Sequence, residues 1–366
     1  MDGKKFMYVA AILLSLIFAT YFSANAAAAA SPTEKLPKVA WKFQSCWGPL
    51  EKVPGTEFET GHGHYVRIIE RIKERTEGRF AIKVFNSGEL FHPMETLDGA
   101  SRGSVESAGL YGAYYTGTIP EAFFEGTFPF AVKNYEMIED LVNNTEYKKI
   151  IRETYAKHNI FFVGHINSGL DGFISNFEIN RINDIKGHKI RGAGPKAKMI
   201  EKLGGSAVPT SGAEIYMALQ RGTVDAAWYP YFGAMYEKWY EVAKYLVWPG
   251  LTQNAINVLV NMNAWNKLPK TYQDILLEEV DKEFKYSLYK KGPAVDKWTH
   301  KGAAEKGMKN IYLTTEEWSK FPEALWPIYE NVAKKSDNCL KLLKIHKEIA
   351  EKYRDKLPLY CKENME

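Results

Sequence analysis

The stretch Asn183-Asp184-Ile185-Lys186-Gly187-His188-Lys189-Ile190-Arg191-Gly192-Ala193-Gly194-Pro195 decides how this chain reads. It predicts a short strand that ends at Arg191, and then a glycine turn and Pro195. A helix follows, before Glu214-Ile215-Tyr216-Met217-Ala218-Leu219-Gln220-Arg221-Gly222-Thr223-Val224-Asp225-Ala226. The arginine therefore stands at the C-terminal end of a strand, the edge where open α/β sheets bind ligands. A guanidinium suits a carboxylate ligand, because its planar fork forms two parallel hydrogen bonds. The alternative is a surface arginine in a strand-to-turn connection.

Outward from this stretch the chain alternates strands and helices. Val39 to Phe43 alternates in polarity and predicts a first strand. His64 to Thr76 carries Tyr65, Ile68, Ile69 and Ile72 on one helical face, and Glu77-Gly78 ends it. Strands are expected at Phe80 to Phe85 and Val105 to Tyr111, with a helix through Met94 to Leu97 between them. The order implies an α/β lobe with parallel strands. Part of it recurs. Glu95 through Ala108 aligns without gaps on Glu214 through Ala227, sharing an Arg-Gly-[Ser/Thr]-Val-[Glu/Asp] core. Two such lobes facing each other would place both sets of strand ends at one crevice. Phe161 to His165 and Ala255 to Val260 read as strands of a hinge region, Trp265 to Lys291 as one long helix, and the part from Thr314 as charged and helical.

The 366 residues carry a formal net charge of +4, too mild and too dispersed to argue for nucleic acid. Lys4 and Lys5, the apolar run Phe6 to Phe22 and the small-residue segment Ala24-Asn25-Ala26 have the form of a signal peptide, with cleavage expected near Ala26. An exported, periplasmic location follows, and about 340 residues remain for two lobes with separate cores. Export permits disulfides. Cys339 and Cys361 flank a charged helical stretch and form the pair expected to staple the C-terminal tail, leaving Cys46 over. The alternative is three free thiols.

These features together resemble the solute-binding proteins of tripartite ATP-independent periplasmic (TRAP) transporters. The likeness rests on the Arg191 segment, the helix end Glu74-Arg75-Thr76-Glu77-Gly78-Arg79, the turn Phe85-Asn86-Ser87-Gly88-Glu89-Leu90, and the aromatic stretch Glu121 to Phe130. It implies a two-lobed α/β periplasmic binding protein fold with mixed, mostly parallel sheets, hinge strands and a long lobe-spanning helix. The expected division is lobe I at 37–163 plus about 250–265, lobe II at 164–249, and the long helix with the C-terminal helices at 266–366. The resemblance also implies that Arg191 clamps the carboxylate of a small organic acid, which is delivered to a membrane permease. Two departures bear on the ligand. Trp228 and Tyr229 stand where the family often has acid and amide side chains, and no arginine occurs in Gly169-Leu170-Asp171-Gly172-Phe173-Ile174. A second ligand carboxylate would lack a partner, so a monoacid with an apolar or aromatic body is expected. Trp47, Tyr111, Tyr114, Trp228, Tyr229 and Phe232 are the candidate walls, and Asn254 is a further polar candidate.

Other functions find less support. His62-Gly63-His64 has neither the spacing nor the companions of a metal site, so no metal and no cofactor are expected. No nucleophile elbow, phosphate loop or zinc-protease motif occurs. An enzymatic reading could propose Asp171 and Asp225 as acid–base groups. A ligand-sensing subunit for a membrane sensor is the remaining alternative.

Overall fold

A computed structural model describes residues 36–48, 52, 57–59, 61–125, 135–210 and 212–361. The expected signal peptide and its cleavage site near Ala26 lie outside the described residues, as does the 126–130 half of the aromatic stretch. From Val39 onward the chain forms one unit.

In chain order, β1 (Val39–Ser45), α1 (Gly61–Arg75), β2 (Phe80–Phe85), α2 (Thr96–Ser101) and β3 (Ser107–Leu110) come first. Then follow α3 (Tyr135–Asn143), α4 (Tyr147–Ala156), β4 (Ile160–Ser175), β5 (Lys189–Arg191), α5 (Pro195–Lys202), β6 (Ser206–Val208) and α6 (Ile215–Gln220). β7 (Ala226–Pro230), α7 (Phe232–Tyr236), β8 (Tyr245–Trp248) and β9 (Thr252–Asn261) complete the central part. The rest is α8 (Met262–Lys267), α9 (Lys270–Tyr286), α10 (Gly292–Glu305), β10 (Lys309–Tyr312), α11 (Thr315–Ala333) and α12 (Asp337–Lys352).

The ten strands form one mixed sheet in the order β2-β1-β3-β9-β4-β7-β5-β6, with β8 on β4 and β10 on β8. β2, β1 and β3 are parallel, and so are β7, β5 and β6. Antiparallel β4 and β9 join these two groups. Both are much longer than the runs expected from the sequence, because β9 is buried along its whole length and reads as a continuous strand without alternation. Register shifts interrupt their pairing between Phe162 and Gly164 and between Asn167 and Gly169, and Gly169 has φ +100°.

The repeat is structural. In both copies a short helix ends in an Arg-Gly turn, with Gly103 at φ +78° and Gly222 at φ +66°. The closing hydrogen bonds correspond one for one. Arg102, Gly103 and Ser104 donate to Asp98, Ala100 and Gly99, as Arg221, Gly222 and Thr223 donate to Met217, Leu219 and Ala218. The turns deliver β3 and β7, each into its own parallel group.

The expected helix from Trp265 to Lys291 is divided differently. Pro269 ends the short α8, whose first turn is capped by the Asn261 side chain accepting from the Asn263 and Ala264 amides. α9 then continues through a π-helical turn, Ser287–Lys291, into α10 and on to Glu305. Pro293 explains the wide turn, since it offers no N–H to the helical ladder. Ser287 Oγ accepts from the Asn167 amide at 2.9 Å, which ties this turn to β4.

α9 is fixed to α1 by a ladder of ion pairs. Arg67, Arg71 and Arg75 of α1 face Glu283, Glu279 and Glu278 of α9. Glu283 is fully buried, and it also accepts from His64 Nδ1 at 2.6 Å. This ladder explains the His62-Gly63-His64 segment as the start of α1, with His64 turned into a buried ion network.

The expected Cys339–Cys361 disulfide is corrected: Cys46, Cys339 and Cys361 all carry thiols. Cys339 and Cys361 are buried in the packing of the tail. Burial pushes the Cys46 thiol up to about 12 and that of Cys339 to about 11, so both stay protonated and unreactive at neutral pH. Alkylation in denaturant without reductant is expected to label all three cysteines. Labelling of Cys46 alone would restore the staple.

Candidate ligand-binding site

Arg191 ends β5, and its position follows from the turn behind it. A Cβ on Gly192 would lie 2.4 Å from the buried Ile200 Cδ1 and 3.2 Å from the Lys196 backbone, so a side chain here would make Ile200 move and crowd α5. Gly194 has φ +60° and ψ −131°, a conformation closed to other residues, and a Cβ there would lie 2.7 Å from the Ala113 carbonyl oxygen. The start of α5 thus touches the segment that follows β3, and the two parallel groups meet at this point.

Arg191 is 3% exposed. Its Nε and Nη2 donate to the Thr210 carbonyl at 3.0 and 2.7 Å, and its carbon lies 5.3 Å from the centre of the Tyr229 ring. Tyr111 and Tyr114 come from the other parallel group and meet edge to face at 5.0 Å. Burial raises the Tyr114 hydroxyl and the Arg191 charge works against that shift.

Two residues that were not among the expected site residues complete the cluster. Lys196, in the first turn of α5, is 3% exposed and pairs with Asp171 of β4, which is fully buried. Burial raises the Asp171 carboxyl and lowers the Lys196 ammonium, while each partner's charge opposes the shift. Arg191 acts on both. Two cations and one carboxylate leave a single positive charge. Several buried polar atoms here lack a partner: Tyr111 Oη, Asp171 Oδ1 and Thr210 Oγ1. An unpaired buried group costs about 1–3 kcal/mol, so such a cluster suits a ligand whose oxygens complete it.

The remaining expected residues divide. Arg191 pairs with Ala227, so alternation along β7 puts Tyr229 on the Arg191 side and Trp228 opposite. Trp228 is fully buried against Phe173 at 5.4 Å, a core position, which corrects its expected place in the wall. Trp47 and Phe232 line a neighbouring cavity of 340 Å³, together with His64, Asn167, Lys291 and Asp296. Arg191, Tyr111 and Asp171 do not line that cavity. Its cation, Lys291, donates to His64 Nε2 at 2.9 Å. The charged cluster is therefore the better candidate for an anion. Asn254 of β9 pairs in register with Gly169 of β4, and its Oδ1 is buried without a partner among the described residues. Asp225 holds the amide of Lys189 at 2.9 Å, and so fixes β5.

The model of the bacterial extracellular solute-binding protein family 7 matches residues 56–336. The chain belongs to this family. As a family 7 protein it is an extracellular solute-binding protein and not an enzyme. It is 32% identical over 246 residues to a monocarboxylate 2-oxoacid-binding periplasmic protein of Nostoc sp.. That match covers 66% of this chain and 65% of the Nostoc protein, just under two thirds of its length. A TRAP solute-binding protein from Bordetella bronchiseptica, with copurified calcium and picolinate bound in its active site, has a TM-score of 0.75 at 23% identity. The alignment covers 87% of this family 7 chain and 94% of that one. One from Pseudoalteromonas atlantica, with bound sodium and pyruvate, also gives 0.75, at 22% identity and covering 87% and 95%. These likenesses show the two-lobed periplasmic binding protein fold. Among the described residues no helix is long and apolar enough to cross a membrane.

Proposed function

We propose that this protein captures a small monocarboxylate in the periplasm and delivers it to a TRAP membrane permease. The observation that carries the reading is the buried Arg191, whose Nη1–Nη2 edge is not taken by Thr210 and has the Tyr114 hydroxyl within hydrogen-bonding reach of the guanidinium. That edge has the geometry for a bidentate carboxylate. The single net charge of Arg191, Lys196 and Asp171 favours one carboxylate over two, in agreement with the family departure at Trp228 and Tyr229. Tyr111, Tyr114 and Tyr229 enclose the body of the ligand. The Nostoc relative's name supports the monocarboxylate class.

In this reading 37–163 with about 250–265 forms lobe I, 164–249 forms lobe II, and 266–366 packs on both. β4 and β9 are the hinge, with Gly169 and the two register shifts absorbing the motion. The signal peptide at residues 1–26 directs export. Mass spectrometry of ligand released from denatured protein, followed by calorimetry of the stripped protein, tests the proposal. A monocarboxylate with a dissociation constant of about micromolar or below is expected. Preference for a C4-dicarboxylate, or no binding across an organic-acid panel, would contradict it.

A further inference from the structure

A second cavity, of 330 Å³, lies between α4, the first part of β4 and α9. It shares no lining residue with the Arg191 cluster or with the cavity beside Lys291. Two cations of α4, Lys148 and Arg152, line it from one face of the helix, a turn apart. Arg152 Nε and Nη2 donate to the Phe162 and Val163 carbonyls at 3.0 and 3.2 Å, beside the first register shift of β4. Its guanidinium carbon lies 5.2 Å from the centre of the Phe161 ring. Lys148 Nζ donates to Asn143 Oδ1 at 2.6 Å. Among the described residues neither cation forms an ion pair, and Arg152 Nη1 makes no hydrogen bond. Both are partly desolvated, and burial lowers the pKa of each.

The acids that line the cavity do not neutralise this pair. Glu278 is 2.6 Å from Arg75 and Asp281 is 3.2 Å from Lys285, so each carboxylate has a cation of its own. Asp281 favours the Lys148 ammonium from beyond contact, while Arg152 and Lys285 oppose it. His165, the other titratable group in the lining, is held neutral by burial at about 3, with Nε2 2.9 Å from the Tyr147 hydroxyl. Two positive charges are left over. Helix stability does not account for Lys148, because it stands in the first turn of α4, where the helix dipole disfavours a cation.

We infer that this cavity is a second binding site, for a phosphate group carried either as free inorganic phosphate or as the monoester of a small apolar alcohol. A phosphate dianion matches the two uncompensated charges, as one carboxylate matches the single charge of the Arg191 cluster. Arg152 Nη1 supplies directed donors and Lys148 an adaptable one. Val142, Val163, Leu277, Val280 and Phe284 supply the apolar wall for an ester group.

The site does not depend on Arg191, and the test keeps the two apart. Calorimetry is run with inorganic phosphate and with phenyl phosphate at about pH 8, where phosphate monoesters are dianions, against sodium chloride of equal ionic strength. A dissociation constant of about 1 mM or below is expected for at least one of them. Phenyl phosphate binding tenfold or more tighter identifies a monoester as the natural source, and equal binding identifies free phosphate. Lys148→Met is expected to weaken binding at least tenfold and Lys148→Glu to abolish it. Lys148 holds no backbone group, so both variants should fold, which thermal melting checks. Arg191→Met should bind phosphate as the wild type does. Absence of saturable binding up to about 10 mM, undiminished binding by Lys148→Glu, or binding lost in folded Arg191→Met overturns the inference.

Discussion

Replacing Arg191 by alanine is expected to weaken acid binding by about 2–5 kcal/mol, roughly 30-fold to several thousandfold. The size follows from where the guanidinium sits. It is almost wholly buried, fixed by the Thr210 carbonyl and faced by Tyr229, so it needs little further ordering when a carboxylate arrives. Truncation leaves the ligand charge in a low-dielectric site. The neighbouring Lys196 is already engaged with Asp171 and cannot replace the lost fork. Calorimetric affinities of the two proteins for one acid measure the effect. A change below about threefold would mean that the carboxylate is held elsewhere, for which the 340 Å³ cavity beside Lys291 is the first place to look.

Glu283→Gln is expected to destabilise the fold by about 3–5 kcal/mol, the range for breaking a buried ion network by removing one partner. Glu283 accepts from His64, Arg67 and Arg71, and is the buried centre of the contact between α1 and α9. Burial alone would raise its carboxyl, but the hydrogen bonds and charges of His64 and Arg67 outweigh burial and hold it at about 2. His64 is held down to about 3, chiefly by burial. Both groups bind protons less readily folded than unfolded, so both make stability fall with falling pH. The His64 contribution is lost from about pH 6.5 toward 3, and the Glu283 contribution from about 4.5 toward 2. Urea denaturation from pH 7 to 4 should show this slope in the wild type, and a shallower one in Glu283→Gln below pH 4.5. A loss under about 1 kcal/mol at pH 7 would show that the ladder is incidental to stability.

Much of the fold is legible in the sequence because period-two and 3.6-residue patterns mark half-buried elements. β1, β2 and α1 lie close to their expected bounds for this reason. The Arg-Gly repeat predicts two equivalent turns, and both form with the same hydrogen bonds. Elements buried on all sides are harder to read. The full lengths of β4 and β9 are hidden because they have no exposed face to alternate with, and short β6, β8 and β10 carry too few residues for a pattern. The π-turn at Ser287–Lys291 could have been suspected from Gly292-Pro293, which breaks the ladder within an otherwise helical run.

The site divides in the same way. Arg191 is visible because a strand end, two glycines and a proline surround it. Tyr229 follows from its alternation with Arg191, whereas Trp228, one residue earlier, points to the opposite face and packs with Phe173. Lys196 and Asp171 are 25 residues apart in the chain, and nothing local marks either as buried. The usable signal was a lysine in the first turn of a helix, where a cation is disfavoured by the helix dipole unless something holds it there.

A crystal structure of the protein with the acid that it carries when purified tests the central claim most directly. The carboxylate is predicted on the Nη1–Nη2 edge of Arg191, with both oxygens about 3 Å from nitrogen, and enclosed by Tyr111, Tyr114 and Tyr229. A ligand seated in the Lys291 cavity, or an acid whose carboxylate does not touch Arg191, would contradict it.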